Sequence, residues 1–313
     1  MESVVNDGMS CLHMAARHGH PNLIAMFLDR GLEVDRTTDL GWTAFHFAAD
    51  ENEIGVAFRL LEFGADMQAM TNKGLSPLHL AARSGSEDMG SMLLDMGVNI
   101  EALDPELLTP LHYAALNGKP KMLAMLLAQG AKLMPRTCYE YTPLHFTVPD
   151  ETENEEGRTG KLECARLLLD AGADVDAGEQ NGMTTLHRAA SRGAVELIKL
   201  LLDRGANVNS QANDTYIPLH SAILSSEKDA VAVLLERGAD VHSGEGRTMD
   251  LAATHGGQMG IVRLLVKYGA SLKGHEELAE FLDLDDGEDA KNIPGASEPS
   301  KEDQEAIDRV CRN

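Results

Sequence analysis

The chain is poor in aromatic residues and in cysteine, and each shortage limits what kind of protein it is. Only 4% of its 313 residues are aromatic, with a single tryptophan, although 43% are hydrophobic. Aromatic side chains dominate the cores of thick domains, so this composition favours a thin core filled by Ala, Leu and Met. The four cysteines have neither disulfide nor metal-binding spacing, which indicates a reducing compartment.

Targeting and membrane segments are also missing from the sequence. The stretch from Met1 to Gly8 has no basic or long apolar region and does not read as a signal peptide. No apolar run approaches the roughly 20 residues that a membrane-spanning helix needs. We therefore expect a protein of the cytoplasm, with the nucleus as an alternative, that does not associate with a membrane.

Clusters of basic residues are absent as well, and the formal net charge is −23. Nucleic-acid binding depends on Lys and Arg clusters that contact phosphates, so we expect no direct binding to nucleic acid. Eight acidic residues lie between Glu276 and Asp289, and five more lie between Asp150 and Glu156. Two interpretations remain open for these segments: a solvated linker and tail, or an electrostatic contact for a basic partner.

The sequence does contain a repeat with a period of 33 residues. In the copy from Gly182 to Asn209, Thr184 is placed to cap a short first helix that ends at Gly193, and Gly205 ends a second helix. The second helix has one broad apolar face that includes Leu201. The signature Leu-His-x-Ala-Ala, or a close variant, recurs around seven histidines: His13, His46, His79, His112, His145, His187 and His220. Such units are stable only when they stack on similar neighbours.

These motifs closely resemble ankyrin repeats, over about residues 5 to 270. The resemblance implies an all-α repeat fold, an ankyrin solenoid of about eight helix-turn-helix units with hairpin fingers between them. It also implies that each repeat histidine bonds the backbone where finger meets helix, and so joins neighbouring units. We predict three regions: the array at 5–270, a short capping helix at 271–284, and a disordered acidic tail at 285–313.

Several copies depart from the pattern. The interval from His145 to His187 is nine residues longer than the others, which predicts an acidic insertion near 150–159, in the turn between two helices. The same unit loses its Ala-Ala pair and carries Pro149 near the end of its first helix. Three fingertips have a residue other than glycine where a left-handed backbone is expected, namely Leu107, Glu140 and Thr215. Because that conformation costs these residues energy, their geometry is in doubt.

No arrangement of residues points to catalysis, a cofactor or a metal ion. The histidines come one per repeat, and helices pack roughly 8–10 Å apart, whereas zinc ligands lie about 2.0–2.3 Å from the metal. The Gly-x-Ser-x-Gly nucleophile motif and a complete dinucleotide-binding motif are both absent from the sequence. We therefore expect a protein that is not an enzyme and that uses no cofactor and no metal.

One feature points to a binding surface. The residue before the capping position is apolar in seven units, and the resemblance places it on the finger side of the concave face, where large side chains serve as interface anchors. The alternative is that neighbouring fingers cover these side chains, which then only stiffen the row. The seven residues, called here the apolar row, are Met9, Trp42, Leu75, Leu108, Tyr141, Met183 and Tyr216. A second candidate set, on the inner helices, is Arg17, Asp50, Arg83, Leu116 and Arg192.

These observations favour a non-enzymatic scaffold or adaptor, expected to be a monomer, that binds a protein partner through the concave ankyrin face. The alternative is a regulatory or inhibitory array that masks a basic or catalytic partner with its acidic segments. The identity of the partner does not follow from the sequence, because one repeat scaffold serves many unrelated targets.

Overall fold

The computed structural model describes residues 6–244, 247–254, 259–275 and 278. Within these residues every regular element is a helix, as the repeat pattern predicts. The chain divides into two compact units. Unit 1 comprises Met1–Thr147 and Thr152–Ala173, and unit 2 comprises Val148–Glu151 and Asp174–Asn313.

Unit 1 is a stack of helix pairs in which each first helix packs on the first helix of the next pair. A short 3-10 turn, Asn6–Gly8, precedes the stack. The first helices are Cys11–Arg17, Ala44–Asp50, Pro77–Ser84 and Pro110–Leu116, followed by a 3-10 helix, Pro143–Thr147. The second helices are Pro21–Asp29, Ile54–Glu62, Glu87–Asp95, Pro120–Ala128 and Glu155–Asp170.

Unit 2 repeats the same arrangement. Its first helices are Thr185–Ser191, Pro218–Leu224 and Arg247–Thr254, and its second helices are Val195–Asp203, Lys228–Glu236 and Met259–Lys267. A short 3-10 turn, Asn213–Thr215, lies in the finger between the first two pairs. Leu201 is completely buried, which confirms its predicted position on the core face of the second helix.

Glycine and its substitutes end the helices as predicted. Gly193 and Gly205 adopt left-handed φ values of 59° and 87° directly after the two helices of their repeat. Asn52 takes the place of glycine between two helices and keeps a φ of 58°. Asparagine tolerates this region better than most residues, so the turn survives the substitution.

The fingers between the helix pairs are closed by short-range hydrogen bonds rather than by strands. In the second finger the Thr38 N–H donates to the Trp42 carbonyl at 2.9 Å, and the Thr38 hydroxyl accepts from the Trp42 N–H at 3.1 Å. The three fingertip residues that stand where other repeats have glycine do adopt the left-handed backbone. Their φ is 64° at Leu107, 66° at Glu140 and 63° at Thr215. Their side chains therefore bear a conformational cost that glycine would avoid.

The prediction that the acidic insertion is only a turn is wrong for its second half. The second helix of the fifth pair begins at Glu155 and has 16 residues, whereas the equivalent helix Val195–Asp203 has nine. The insertion therefore lengthens this helix at its start. The first helix of the pair is only a 3-10 helix of five residues, because Pro149 has no N–H and disfavours helix at the residue before it.

The lengthened helix packs against the fourth pair of unit 1. Gly160 approaches the carbonyl of Gly118 so closely that a Cβ there would overlap it. Lys161 is buried, with only 4% of its side chain exposed, and it forms an ion pair with Glu153 of the insertion. From Thr152 onward the insertion is thus part of the packed structure of unit 1 rather than a detached loop.

The predicted C-terminal regions lie mostly outside the described residues. Of the capping helix expected at 271–284, only 271–275 and 278 are described, and the acidic tail expected at 285–313 lies entirely outside them. Across the part of the chain that the structure describes, none of the helices is long and apolar enough to cross a bilayer.

Candidate functional site

The side chains of the apolar row are buried or half-buried, so a partner could reach only part of their surface. Leu75 and Leu108 are buried, with 7% and 6% of their surface exposed. The other five members are half-buried: Met9, Trp42, Tyr141, Met183 and Tyr216. Neighbouring residues therefore cover a large part of these side chains, which favours a structural contribution from the whole row and restricts a binding surface to its half-buried members.

The backbone of the row helps to join successive repeats. The Leu108 carbonyl lies 3.2 Å from Nε2 of His79, and the Tyr141 carbonyl lies 3.4 Å from Nε2 of His112. In unit 2 the Tyr216 carbonyl lies 3.2 Å from Nε2 of His187. Each row residue named here therefore positions a carbonyl for the histidine of the preceding repeat, whatever its side chain does.

Three candidate residues from the two predicted sets meet in unit 1. One guanidinium nitrogen of Arg83 donates to both carboxylate oxygens of Asp50, at 3.0 Å each. The same guanidinium lies over the ring of Trp42, 5.4 Å from its centroid. The Trp42 ring packs in turn on Phe47, with centroids 4.9 Å apart. These three residues, Trp42, Asp50 and Arg83, are called here the Trp42 cluster. The cluster combines a large aromatic face with a charge pair held in a fixed position.

The two tyrosines of the row have similar surroundings within their own units. The Tyr141 ring contacts His145 and Phe146, with centroids 5.7 and 5.8 Å away. The Tyr216 ring contacts His220 at 5.2 Å, and the guanidinium of Arg247 lies 5.9 Å from its centroid. An arginine therefore lies over a row ring in both units, over Trp42 in unit 1 and over Tyr216 in unit 2.

The remaining inner-helix candidates are not equivalent to one another. Arg17 ends the first helix and pairs with Glu51 at 3.4 Å, and half-buried Leu116 ends the helix of the fourth pair. Arg192 was grouped with them incorrectly, because it lies one position later, beyond the end of the helix Thr185–Ser191. It contacts the acidic insertion instead, with Glu151 at 3.5 Å and Asp150 at 3.9 Å.

Sequence reasoning missed a second aromatic position, the residue directly after the repeat histidine. Phe47, Tyr113 and Phe146 each lie against the histidine of the preceding repeat, with ring centroids 5.4–5.7 Å apart. The Tyr113 hydroxyl donates to Asp104 at 2.8 Å, and burial together with this bond raises the pKa of Tyr113. The signal was available in the sequence, since all three are aromatic in one register.

Six repeat histidines place Nε2 within hydrogen-bond distance of the following repeat, namely His13, His46, His79, His112, His187 and His220. In the second repeat Nδ1 of His46 accepts the Thr43 backbone N–H at 3.0 Å, so its proton is on Nε2, which donates to the Ala69 carbonyl at 3.0 Å. Burial lowers the pKa of His46 to about 4. The same cause lowers the pKa of the equivalent residues, to about 4 for His112 and His220 and below 6.5 for His13, His79 and His187. The neutral imidazole is therefore the form that joins the repeats.

Within the described ranges, no three His, Cys, Asp or Glu side chains are arranged to hold a metal ion. Of the five acidic residues of the insertion, Asp150 and Glu151 contact Arg192, and Glu153 pairs with Lys161. Two basic residues, Arg192 and Lys161, therefore offset part of the insertion's charge within the chain.

Comparisons with known proteins agree with this geometry. A family profile described as Ankyrin repeats (3 copies) matches residues 1–71, 55–137 and 156–245. The crystal structure of the human ASB11 ankyrin repeat domain is 30% identical and covers 72% of this chain and 98% of that domain, with a TM-score of 0.62. No curated protein matches the chain. Since 559 chains of solved structures match, the fold alone does not identify a partner.

Proposed function

We propose that this chain, which belongs to the ankyrin repeat family, is a non-enzymatic scaffold that binds a protein partner through the Trp42 cluster and the half-buried members of the apolar row. Ankyrin repeat domains generally mediate protein–protein interaction. The proposal is more specific, because it assigns binding to named residues, with the Trp42 cluster of unit 1 as the main contact. It also takes the chain to be a monomer of the cytoplasm, with the nucleus as the alternative, that does not bind nucleic acid.

The contact of Arg83 with both Trp42 and Asp50 carries the proposal. Tryptophan and arginine are the residues most enriched at binding hot spots, and a planar guanidinium held on two sides is pre-organised to contact a partner. Because the ring and the charge pair are half-buried, a partner would not have to order flexible side chains before binding. That reduces the entropic cost of association.

The test compares partner capture by three versions of the full chain. Arg83→Lys keeps the charge but loses the planar guanidinium fork, and Trp42→Ala removes the aromatic face. Lys199→Ala, on the exposed side of the helix Val195–Asp203, is the matched control. Affinity capture from a lysate of the source cells, followed by mass spectrometry, would identify the partners of the wild-type chain.

We expect Trp42→Ala to abolish capture, Arg83→Lys to weaken it, and Lys199→Ala to leave it unchanged. Truncating a hot spot typically costs at least about 2 kcal/mol, or roughly thirtyfold in affinity. Circular dichroism of each variant checks that the fold is retained, since Trp42 also packs on Phe47. If the Arg83→Lys and Trp42→Ala chains are folded and capture the same partners as the wild type, the cluster is structural and the proposal is wrong.

A further inference from the structure

The sequence contains two Asn-Gly dipeptides, Asn117–Gly118 and Asn181–Gly182, and the structure holds them differently. In such a dipeptide the backbone nitrogen of the glycine can attack the side-chain amide carbon of the asparagine and close a five-membered succinimide ring. Glycine favours this reaction because it has no Cβ to hinder the approach and because its backbone is permissive. An Asn-Gly dipeptide is therefore a place where a protein can change chemically without an enzyme, provided that its fold leaves the two groups free to meet.

The first dipeptide is held in place by the packing of unit 1. The side-chain Nδ2 of Asn117 donates to the Tyr113 carbonyl at 2.8 Å, and the residue is half-buried. Gly118 packs closely on the lengthened helix of the insertion, since a Cβ there would lie 2.9 Å from the carbonyl oxygen of Gly157. The reacting nitrogen and the amide carbon are thus both fixed, and neither can move without opening that packing.

The second dipeptide lies at the tip of a finger in unit 2, and Asn181 is exposed. The turn around it is closed by backbone hydrogen bonds, with the Gly182 N–H donating to the Glu179 carbonyl at 2.8 Å and the Glu179 N–H donating to the Met183 carbonyl at 3.0 Å. A Cβ on Gly182 would lie 3.4 Å from its nearest neighbour, Cα of Ala212, which is ordinary contact. Opening this turn releases one N–H bond and moves an exposed side chain, so it costs less than opening the packing around Asn117.

The fold does not require asparagine at this position, but it does use the backbone carbonyl there. The equivalent residues of five other fingers are Leu40, Lys73, Glu106, Tyr139 and Asp214. The Asn181 carbonyl accepts the Asn213 N–H of the following finger at 3.1 Å, just as the Leu40 carbonyl accepts the Asn72 N–H at 3.1 Å. The backbone of Asn181 therefore joins two fingers of unit 2, whereas its side chain is replaceable.

We propose that Asn181 is a site of spontaneous deamidation, and that its product loosens the joint between these two fingers. The Gly182 nitrogen attacks Cγ of Asn181, so that a new N–Cγ bond forms while the Cγ–Nδ2 bond breaks. Nδ2 leaves as ammonia, which carries away the proton that the Gly182 nitrogen loses. Water then opens the succinimide at one of its two carbonyls and gives either aspartate or isoaspartate. The sequence of steps needs water and no oxidant, reductant or cofactor.

Isoaspartate changes the finger more than aspartate does. Its main chain runs through the former side chain and gains one carbon before the Gly182 nitrogen, while the former Asn181 carbonyl becomes a free carboxylate. The acceptor of the Asn213 N–H is therefore displaced from its place in the backbone. The two fingers affected carry Met183 and Tyr216 of the apolar row, directly after the reacting dipeptide and in the following finger.

The experiment ages the full chain and maps both dipeptides by mass spectrometry. The native wild type is kept at physiological temperature and pH, sampled over several weeks and digested, and electron-transfer fragmentation distinguishes isoaspartate from aspartate. The same chain unfolded in guanidinium chloride gives the two rates without the fold. Asn181→Gln is the matched control, because it keeps an exposed amide whose longer side chain closes the ring far more slowly. Asn181→Asp supplies the negative charge without the additional backbone carbon.

We expect Asn181 of the native chain to convert at least about tenfold faster than Asn117, the ratio that about 1.4 kcal/mol of additional opening free energy produces. In the unfolded chain the two rates should be similar. The aged wild type should melt at a lower temperature than the fresh wild type, whereas aged Asn181→Gln and fresh Asn181→Asp should not. The inference does not rest on the proposed function, because Asn181 belongs to unit 2 and the Trp42 cluster belongs to unit 1.

Three results would overturn the inference. The first is that Asn181 stays intact in the native chain over a period in which the unfolded chain converts it, because the turn then protects the side chain. The second is that Asn117 converts as fast as Asn181 in the native chain, so that the difference in packing does not govern the reaction. The third is an aged chain that contains isoaspartate at position 181 and melts like the fresh one, which would show that the joint between the fingers is not loosened.

Discussion

Mild acid is expected to destabilise the protein through its repeat histidines, and His46→Gln tests this at a single site. Both ring nitrogens of His46 are engaged as the neutral imidazole, with Nδ1 accepting the Thr43 N–H and Nε2 donating to the Ala69 carbonyl. Protonation of Nδ1 would place a proton against a backbone donor in a buried site. Burial also takes the charged imidazolium out of water, and this desolvation lowers the pKa of His46 from 6.5 to about 4.

The sign and size of the effect follow from this shift. As the pH falls, the unfolded chain takes up the proton first, so the stabilising contribution is complete above about pH 6.5 and is lost progressively down to about pH 4. With pKa values of 6.5 unfolded and about 4 folded, one histidine lowers the free energy of unfolding by about 2 kcal/mol at pH 5. Five other repeat histidines are shifted in the same direction: His13, His79, His112, His187 and His220.

Glutamine is a suitable replacement because it does not titrate and because Thr-x-x-Gln is itself a helix-capping sequence. The assay is urea unfolding of the wild type and His46→Gln, followed by circular dichroism, at about pH 7.5 and about pH 5. Since both chains share all other titrating groups, the difference between them isolates His46. We expect that difference to move by about 2 kcal/mol in favour of the variant at the lower pH. An equal loss of stability in both chains would refute the assignment of a neutral, capping imidazole.

Two further predictions concern packing. Leu201→Asp places an unpaired charge in the core of unit 2 and should cost at least about 3 kcal/mol, seen as lost helicity and a lower melting temperature, whereas an unchanged melt would contradict the burial of Leu201. Gly160→Ala should lower the free energy of unfolding by about 1–3 kcal/mol, because its Cβ would overlap the Gly118 carbonyl. Gly157→Ala in the same helix is its control, and equal melting temperatures for the two variants would show that the insertion does not pack as described.

Much of the fold could be predicted from the sequence because the pattern of residues that forms one helix pair recurs in every copy of the repeat. The interval between histidines and the glycines after each helix, such as Gly193 and Gly205, correctly indicated helix pairs. The resemblance likewise indicated the bond from the repeat histidine to the next finger, as His46 makes with the Ala69 carbonyl. A single copy would have been ambiguous, since short apolar runs do not distinguish a helix from a strand.

The insertion was harder to predict because its departure from the repeat removed the comparison on which the other predictions rested. Acidic composition from Asp150 to Glu156 suggested a solvated loop, yet Glu155 and Glu156 stand in the first turn of a helix. Negative charge at a helix start is favourable there because of the helix dipole. The burial of Lys161 depends on a partner, Glu153, that no local pattern identifies.

The candidate site shows why binding and stability are difficult to separate in this fold. The resemblance places Trp42 and Tyr141 on the finger side of the concave face. Each of them also packs on the residue after a repeat histidine, Phe47 and Phe146 respectively. A truncation there changes the fold and the surface together, so lost binding alone does not prove contact with a partner. Partner capture has therefore to be measured beside the melting temperature of each variant, because only a variant that keeps its fold and loses its partner isolates the contribution of the surface.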